Sequence, residues 1–395
     1  MSIQQNFPAI SPSLNLNFAR SKTLDPRITF SRTSTATRVN EQGLVEVVSA
    51  DIPRFDHEYD SSTGVIKSLG LLVEEQRSNL VPYSLVFNNT TYWVKFNTFT
   101  ITPNYDTAPD GTTTASRIVT NGTTSNNRIE QTISTGITTN TTYDFSLYIK
   151  KNGTASSGRI RLDILNSSGD LLDASNFSVS DNWEKVDVSG SSGTGSSIKI
   201  RIRESTDSSA AIDALIWGAQ LEAGAFPTSY IPTSGGTATR NPDNVSMTGD
   251  NFSDWYNQSE GTVFASFRAQ AQPSATKYLM GISNNSSGEL IYIRATASGS
   301  DSAMRDGGSD VAYKPIAYSR DINTLSKHCV SYKQNDFIVS AQGQISTVDD
   351  NCTVPTPTNI SIGSLYNTTH LGGTISQLTY YPTRLTNTQL QTLTK

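Results

Sequence analysis

Short apolar runs that alternate with polar residues recur along the chain, and this period-two pattern predicts β-strands. Between residues 84 and 232 the pattern reaches strand length at residues 93–100, 115–119, 127–133, 142–150, 158–165, 183–188, 197–203 and 211–217. Turns rich in glycine, asparagine and serine separate these runs. About eight antiparallel strands are typical of a jelly roll, so residues 84–232 are predicted to form one β-sandwich.

A second series of the same kind occupies residues 244–395. Its predicted strands are residues 261–269, 278–283, 290–295, 326–333, 336–342, 359–362 and 373–381. Residues 386–394 are predicted to be a short helix with Thr386 as its N-cap. The glycine-containing residues 233–243 are predicted to be a linker. The fold class is therefore all-β, with two tandem antiparallel β-sandwiches.

Residues 1–83 have a less regular pattern than the rest of the chain. Leu14, Leu16 and Phe18 alternate with polar residues and predict a short strand, and residues 25–83 are predicted to be extended, with turns. A lone hairpin is marginally stable in water, so this segment must pack on something else. We expect an N-terminal arm and an irregular anchoring segment. Its charged residues are predicted to form a structural network, made of Arg54, Arg77, Glu74 and Glu75.

Charge narrows the range of partners. The formal net charge is -5, so the chain has no overall electrostatic attraction for nucleic acid or an anionic membrane. No apolar stretch approaches the ~20 residues that span a bilayer, and residues 1–9 lack a signal-peptide pattern. We expect synthesis and release in the cytoplasm, without membrane insertion. Cys329 and Cys352 are predicted to be reduced core thiols, with a disulfide as the alternative.

Catalytic signatures are missing from the sequence. Glycanases built on β-sandwiches use paired carboxylates, and no predicted central strand carries such a pair. Asp349 and Asp350 are adjacent in a polar loop, and Asp301 and Asp306 lie in a segment predicted to be a glycine-rich loop. The three histidines are too dispersed for a metal motif. We predict no catalytic residues and no enzymatic activity.

Sugar binding has better support, because sugar rings stack on aromatic side chains while their hydroxyl groups bind polar ones. In the first sandwich the candidate carbohydrate-binding residues are Tyr92, Trp93, Tyr105, Arg117, Arg128 and Gln131. The alternative is that Trp93, Phe96 and Trp183 are core residues of this sandwich. In the second sandwich the candidate ligand loops, which are alternatively simple turns, are residues 284–287, 306–310 and 366–370.

Three stretches of sequence resemble a family of tailed-bacteriophage virion proteins. They are DPRITFSRTSTATRVN at 25–40, SLGLLVEEQRSNLVPYS at 68–84 and WGAQLEAGAFPTSYIPT at 217–233. The resemblance implies a carbohydrate-binding-module-like jelly roll at 84–232, followed by a concanavalin-A-like lectin domain at 244–395. Residues 261–267, 328–340 and 370–390 resemble concanavalin-A-like domains of the laminin-G and pentraxin type.

The resemblance also implies a function. It predicts a non-enzymatic structural protein of the virion, a fibre or decoration component attached through residues 1–83, which binds host-surface glycan and forms a homo-oligomer such as a trimer. The alternatives are a capsid decoration or cement protein without a ligand, and a glycan-depolymerising tailspike. Related modules hold a structural Ca²⁺, and the matching residue is Asp213, with Asn79 as a further oxygen ligand. We expect no other cofactor.

Overall fold

The computed structural model describes residues 7–60, 62–122, 127–153, 158–205, 210–270, 276–319 and 322–395. The chain divides into two compact units. Unit 1 comprises Met1–Gly43, Val48–Gln76 and Asn241–Lys395, and unit 2 comprises Leu44–Val47 and Arg77–Arg240. In the described part of the chain, no helix has the length and apolar character that crossing a membrane requires.

The protein is nearly all β, as the alternating pattern predicted. The first elements are β1 Leu14–Leu16, α1 Phe18–Ser21, β2 Thr29–Ser31, β3 Ala36–Val39, β4 Val45–Val48, β5 Arg54–Asp60, β6 Val65–Val73 and β7 Arg77–Asn79. The middle elements are β8 Val94–Phe96, β9 Thr100–Asp106, β10 Ala115–Val119, β11 Arg128–Ile133, β12 Thr142–Lys151, β13 Arg159–Leu165, β14 Leu171–Ser178, β15 Glu184–Ser191, β16 Ile198–Glu204, β17 Asp213–Ala223 and β18 Ala238–Arg240. The last elements are β19 Asn244–Thr248, α2 Asp250–Ser253, β20 Glu260–Ala269, β21 Lys277–Ser283, β22 Leu290–Thr296, β23 Gly299–Asp306, β24 Ser309–Ala317, β25 Ser326–Lys333, β26 Asp336–Ala341, β27 Gln344–Ile345, β28 Asn359–Ile362, β29 Gly373–Tyr381 and α3 Asn387–Thr394.

Unit 1 contains an 8-stranded sheet, ordered β27-β26-β25-β20-β29-β6-β5 with β1 also on β29, and a 7-stranded sheet, ordered β2-β19-β28-β21-β22-β23-β24. Alternating side chains from both sheets form one apolar core. The core includes Val263, Phe267 and Ile282, which are at most 1% exposed. Burying such side chains contributes roughly 1.5–3 kcal/mol each.

Strands β1, β2, β5 and β6 belong to the sheets of this sandwich, whereas the sequence predicted a separate segment at 1–83. Strand β29 is long enough for two partners on one edge: β6 pairs with Gly373–Ile375, and β1 pairs with Leu378–Tyr380. Strand β2 extends the other sheet by pairing with β19. Gly70 lets β6 approach, since a Cβ there would lie 2.1 Å from the Ile375 carbonyl oxygen. The side chains of Leu14, Leu16 and Phe18 are therefore part of the core of this sandwich.

Unit 2 is a sandwich of two 5-stranded sheets, ordered β15-β12-β17-β10-β9 and β14-β13-β16-β11-β8. Every second residue along its strands points into the core, for example Phe145, Leu147 and Ile149 on β12, which are all 0% exposed. The predicted strand at 93–100 is two strands in different sheets, because Asn97 turns the chain with a φ of 55°. Strand β14 was not predicted, since its pattern does not alternate cleanly.

A buried ion-pair network ties the irregular N-terminal segment into unit 1. Asp243 binds Arg32 at 3.0 Å and Arg54 at 2.5 Å, and Arg54 also pairs with Glu74 at 2.8 Å. All four side chains are 0% exposed. The guanidinium of Arg54 donates to the Thr37 carbonyl. The network therefore also provides a hydrogen bond for a backbone carbonyl of β3, which belongs to a 2-stranded sheet only.

The predicted charge network is thus confirmed only for Arg54 and Glu74. Glu75 pairs instead with Lys277 at 3.3 Å, and Arg77 lies in unit 2, where its guanidinium is 5.1 Å from the centre of the Phe226 ring. The C-terminal helix is confirmed, with a capping box between Thr386 and Gln389. The two cysteines are free and buried.

Candidate functional site

The six carbohydrate-binding residues predicted in unit 2 do not form one surface. Trp93 is 1% exposed and packs on Phe87 in the core, which was the alternative interpretation. Gln131 is 2% exposed, and its side chain shares the inward face of β11 with Ile129 and Ile133. Neither side chain is accessible to a ligand.

The other four predicted residues are divided between different parts of unit 2. Tyr92 packs on Tyr83 with a centroid distance of 4.8 Å. Tyr105 and Arg117 lie on β9 and β10, with the guanidinium 5.0 Å from the ring centre. Arg128 lies on β11, in the other sheet. These side chains cannot contact one small ligand together.

The predicted calcium ligands do not fit a common ion. The Asn79 amide is engaged at both ends, since it donates to the Ala219 and Ile231 carbonyls and accepts from two backbone N–H groups, those of Val81 and Leu221. Asp213 instead accepts bonds from Arg117 and Asn152. Asp213 and Leu221, which contacts Asn79, are eight positions apart on β17, which is roughly 26 Å along a strand.

We therefore expect chelation to leave stability unchanged. A bound structural Ca²⁺ would stabilise the folded state by mass action, and its removal would lower the melting temperature. Since Asp213 and Asn79 do not share an ion, adding EDTA should shift the melting temperature by less than about 1 °C. Differential scanning calorimetry in EDTA and in excess Ca²⁺ tests this. A melting temperature that rises with the Ca²⁺ concentration would contradict it.

A pocket lined by tyrosines lies in unit 1, and we call it the tyrosine pocket. Its volume is about 410 Å³. That volume is within the usual range for small-ligand sites. It is lined by Tyr278, Ser287, Leu290, Tyr292, Arg294, Arg305, Asp310, Tyr313, Leu365 and Tyr366.

The three loops predicted as ligand loops meet at this pocket, each contributing one lining residue: Ser287, Asp310 and Tyr366. Hydrogen bonds join the loops. The Gly308 N–H donates to the Gly288 carbonyl at 3.1 Å, and the Tyr366 hydroxyl donates to the Ser286 carbonyl at 2.5 Å. The sequence predicted these loops from composition but could not show that they converge.

The segment around Asp301 and Asp306 is a strand hairpin, whereas the sequence predicted a loop. Strands β23 and β24 pair from Gly299 to Ala317 through a two-residue turn at Gly307 and Gly308. Both glycines have positive φ, 59° and 84°, as the tight hairpin turns that match strand twist require. Asp301 and Arg305 lie on β23, which pairs with β22, and Tyr313 lies on β24.

Polar side chains hold the aromatic rings of the pocket in place. Arg294 donates to both oxygens of Asp301, at 2.5 and 3.0 Å, and the Tyr313 hydroxyl donates to the same carboxylate at 3.0 Å. The Arg294 guanidinium lies 4.9 Å from the Tyr292 ring centre, a cation–π distance. Tyr278 contacts Tyr292 edge-on at 5.3 Å. These contacts fix the ring orientations before any ligand binds.

Three phenol groups of the pocket, those of Tyr292, Tyr313 and Tyr366, remain neutral at physiological pH because their pKa is raised. Burial raises the pKa of Tyr292, Tyr313 and Tyr366 above the ordinary value. For Tyr313 the hydrogen bond to Asp301 raises the pKa further. A neutral phenol both donates and accepts hydrogen bonds, which suits a ligand rich in hydroxyl groups.

Backbone strain is concentrated at one rim of the pocket. Tyr366, Asn367 and Thr369 have φ values of 53°, 56° and 39°, in the left-handed region that non-glycine residues rarely adopt. A mutual backbone pairing between Leu365 and Thr368 closes this turn. Such strain costs of order 1–3 kcal/mol per residue and is frequent at ligand sites.

A buried carboxyl group in unit 2, that of Asp144, escaped the sequence analysis. Asp144 on β12 lies opposite Ser189 of β15 and Glu222 of β17, and its carboxylate accepts a hydrogen bond from the Ser189 hydroxyl at 2.8 Å. Asp187 lies two positions from Ser189 on β15. Burial, followed by the nearby Asp187, raises the pKa of Asp144 to about 8. The carboxyls of glycosidases must reach the substrate, and the Asp144 side chain is 0% exposed, so it does not suit that chemistry.

Comparisons with known proteins give only partial similarities. No protein-family model matches the chain, and no curated protein matches it. One similar solved structure is the CBM40 domain of the Ruminococcus gnavus IT-sialidase bound to alpha2,3 sialyllactose, with 15% identity over 35% of this chain and 83% of that chain and a TM-score of 0.31. Another is the CBM22-1 xylan-binding domain of Paenibacillus barcinonensis Xyn10C, with 18% identity over 37% of this chain and 92% of that chain and a TM-score of 0.29.

A third similar structure is domain 4 of AbnA, a GH43 extracellular arabinanase from Geobacillus stearothermophilus, in complex with arabinotriose. It has 12% identity over 43% of this chain and 81% of that chain, with a TM-score of 0.32. At such identities and TM-scores these similarities do not define a ligand for this protein.

Proposed function

We propose that this protein is a non-enzymatic, carbohydrate-binding structural protein of a bacteriophage virion, and that the tyrosine pocket of unit 1 binds host-surface glycan. The pocket is the observation that carries the proposal. It combines four tyrosines with hydrogen-bonding side chains in a concavity of about 410 Å³. Aromatic faces fit the C–H faces of a sugar ring, and the surrounding polar groups fit its hydroxyls.

The charges of the pocket favour an uncharged sugar. Arg294 is paired with both oxygens of Asp301, and Arg305 is paired with Asp310 at 2.6 Å. Each guanidinium thus has a carboxylate partner, and the four groups sum to zero charge. An acidic sugar would have to displace a carboxylate to reach either arginine. Neutral hexoses or N-acetylhexosamines require no such exchange.

The same pairing supports a binding role rather than hydrolysis. A glycosidase needs one carboxylic acid to protonate the leaving group and another carboxylate as nucleophile or base. Asp310, which lines the pocket, is ion-paired with Arg305. Asp301 accepts hydrogen bonds from two other lining residues, Arg294 and Tyr313. In this arrangement both carboxylates orient other side chains.

The virion assignment rests on the resemblance of residues 25–40, 68–84 and 217–233 to phage virion proteins. Under this proposal the protein is a surface-exposed fibre or decoration component that contacts other virion proteins and assembles as a homo-oligomer. Repeated copies would strengthen binding, because linked sites raise the effective concentration of each weak site. No cofactor takes part.

A glycan array followed by affinity measurements tests the proposal. The Tyr313→Ala variant should bind the best neutral glycan roughly tenfold more weakly, because it loses one aromatic contact and one hydroxyl. Tyr313 is 44% exposed, so its truncation should leave the fold intact. Tyr59→Ala is the matched control, since Tyr59 is a 50% exposed tyrosine of unit 1 that does not line the pocket.

Each alternative predicts a different outcome of the same experiments. A decoration protein without a ligand would bind no glycan on the array. A depolymerising tailspike would shorten host polysaccharide on incubation, as measured by size-exclusion chromatography. Equal affinities of the wild type and Tyr313→Ala would remove the tyrosine pocket from the proposal.

A further inference from the structure

A row of three arginines crosses one sheet of unit 2. Arg161 on β13 lies directly opposite Arg203 on β16, and Arg203 lies directly opposite Arg128 on β11. Neighbouring strands are about 4.8 Å apart, so three side chains of like charge stand side by side. Asn176 on β14 and Phe96 on β8 extend the row at its two ends.

Further charged residues share this outward side of the sheet, because side chains alternate along each strand. We call the group the arginine face, and it comprises Arg128, Glu130, Arg159, Arg161, Asp163, Lys199, Arg201 and Arg203. With six cations and two carboxylates, its net charge is +4, whereas the whole chain has a net charge of -5. Cationic groups are therefore concentrated here against the overall balance of the protein.

The two carboxylates orient the guanidinium groups. Glu130 accepts from the Nε atoms of Arg128 and Arg201, at 2.9 and 2.6 Å, and Asp163 accepts from Nε of Arg161 at 2.5 Å. The Arg128 guanidinium also stacks on Phe96 at 3.8 Å from the ring centre. Arginines fixed in this way lose little conformational entropy when an anion binds.

Asp163 lies 2.5 Å from Arg161 and 3.6 Å from Arg203, so one carboxylate faces two guanidinium groups of the row and offsets their repulsion only in part. Like charges on directly opposed strand positions destabilise a sheet. Partial burial lowers the pKa of Arg203, and the neighbouring Arg161 lowers it further, while Asp163 opposes this effect. The side chain of Arg203 is 14% exposed, so its charge is only partly screened by water. An anionic ligand laid along the row would relieve this repulsion.

We infer that the arginine face is a second binding site, which takes an acidic polysaccharide whose repeating carboxylate or phosphate groups bind successive arginines of the row. A linear polymer suits the geometry, since the three arginines lie in line across adjacent strands. The site lies in unit 2 and does not depend on the tyrosine pocket of unit 1.

Nucleic acid fits this surface less well than an acidic polysaccharide. Single-stranded nucleic acid binds through aromatic side chains on which bases stack, and the aromatic ring of the row, Phe96, already stacks with Arg128.

Binding of defined polyanions to the full-length protein tests this inference. The probes are oligogalacturonate, its neutral methyl ester, inorganic polyphosphate and single-stranded oligothymidylate, measured by calorimetry or fluorescence anisotropy. We expect oligogalacturonate to bind, with an affinity that falls as salt rises, and its methyl ester not to bind. Comparison with polyphosphate shows whether carboxylate or phosphate is preferred.

The double variant Arg161→Gln/Arg203→Gln should bind oligogalacturonate about 100-fold more weakly, at roughly tenfold for each charged hydrogen bond lost. Lys150→Gln/Lys151→Gln is the control, because it removes the same charge from β12 in the other sheet. Arg203→Lys keeps the charge without the planar fork, and should lose less affinity than Arg203→Gln. Tyr313→Ala should bind the polyanion like the wild type.

The inference would be overturned by any of four results. These are no binding of oligogalacturonate or polyphosphate, equal binding of the methyl ester, unchanged affinity of the double arginine variant, or tighter binding of oligothymidylate than of either other polyanion. None of these outcomes affects the glycan test of the tyrosine pocket, so the two proposals can fail separately.

Discussion

Replacing Asp243 with asparagine should destabilise the protein by about 3–5 kcal/mol, the cost of breaking a buried ion pair from one side. Asp243 balances two fully buried arginines, Arg32 and Arg54. In the variant the four-residue network keeps the two positive charges of Arg32 and Arg54 but only the negative charge of Glu74. The Asp243 carboxylate also accepts the Glu74 backbone N–H, so the variant weakens a backbone contact of the irregular segment.

Urea unfolding followed by fluorescence measures this loss. Asp25→Asn is the matched control, because Asp25 pairs with Arg27 at 2.8 Å on a partly exposed surface. Such pairs contribute about 0–1 kcal/mol. If Asp243→Asn were no more destabilising than Asp25→Asn, the network would not hold the N-terminal segment in unit 1.

Replacing Asp144 with asparagine should stabilise the protein at pH 8 and flatten its dependence on pH. The pKa of Asp144 is raised from 3.8 to about 8, mainly by burial and then by Asp187. The folded state therefore keeps a proton that the unfolded state loses as pH rises above about 4. Stability from this group is present below that pH and declines up to about pH 8.

The groups that face Asp144 set the size of this effect. Asp187 and Glu222 raise its pKa, while Ser189 and Lys185 lower it. An asparagine carries no charge to bury, so the gain at pH 8 should reach several kcal/mol, at about 1.4 kcal/mol for each pKa unit. Melting temperatures of wild type and Asp144→Asn between pH 4 and pH 9 measure it, with Asp181→Asn, an exposed aspartate, as the control. Parallel profiles of the wild type and Asp144→Asn would contradict the raised pKa of Asp144.

Local patterns predicted the elements of this protein better than their assembly. Most strands of both series follow the predicted alternation, because each buries one face in a sandwich core. The pairing of β1 with β29 joins residues more than 350 positions apart, for example Leu14 and Tyr380. No local pattern contains that information, so the N-terminal segment was predicted to be a separate anchor.

The site residues show the same limit. Composition indicated the loops that contribute Ser287, Asp310 and Tyr366, because glycine, asparagine and aspartate favour turns near ligands. It could not indicate Tyr292 or Tyr313, whose strand positions look like ordinary sheet residues. In unit 2 the aromatic residues Tyr92, Trp93 and Tyr105 indicate a carbohydrate-binding surface by their type, but Trp93 lies in the core. The arginine row becomes visible only from the register of three strands.

Hydrogen–deuterium exchange of the protein with its best-bound neutral glycan tests the central claim most directly, because it locates the site without mutation. The account predicts protection in the three loops that meet at the tyrosine pocket, residues 284–287, 306–310 and 366–370, and unchanged exchange in unit 2. Protection confined to unit 2, or none in these three loops at saturating glycan, would contradict it.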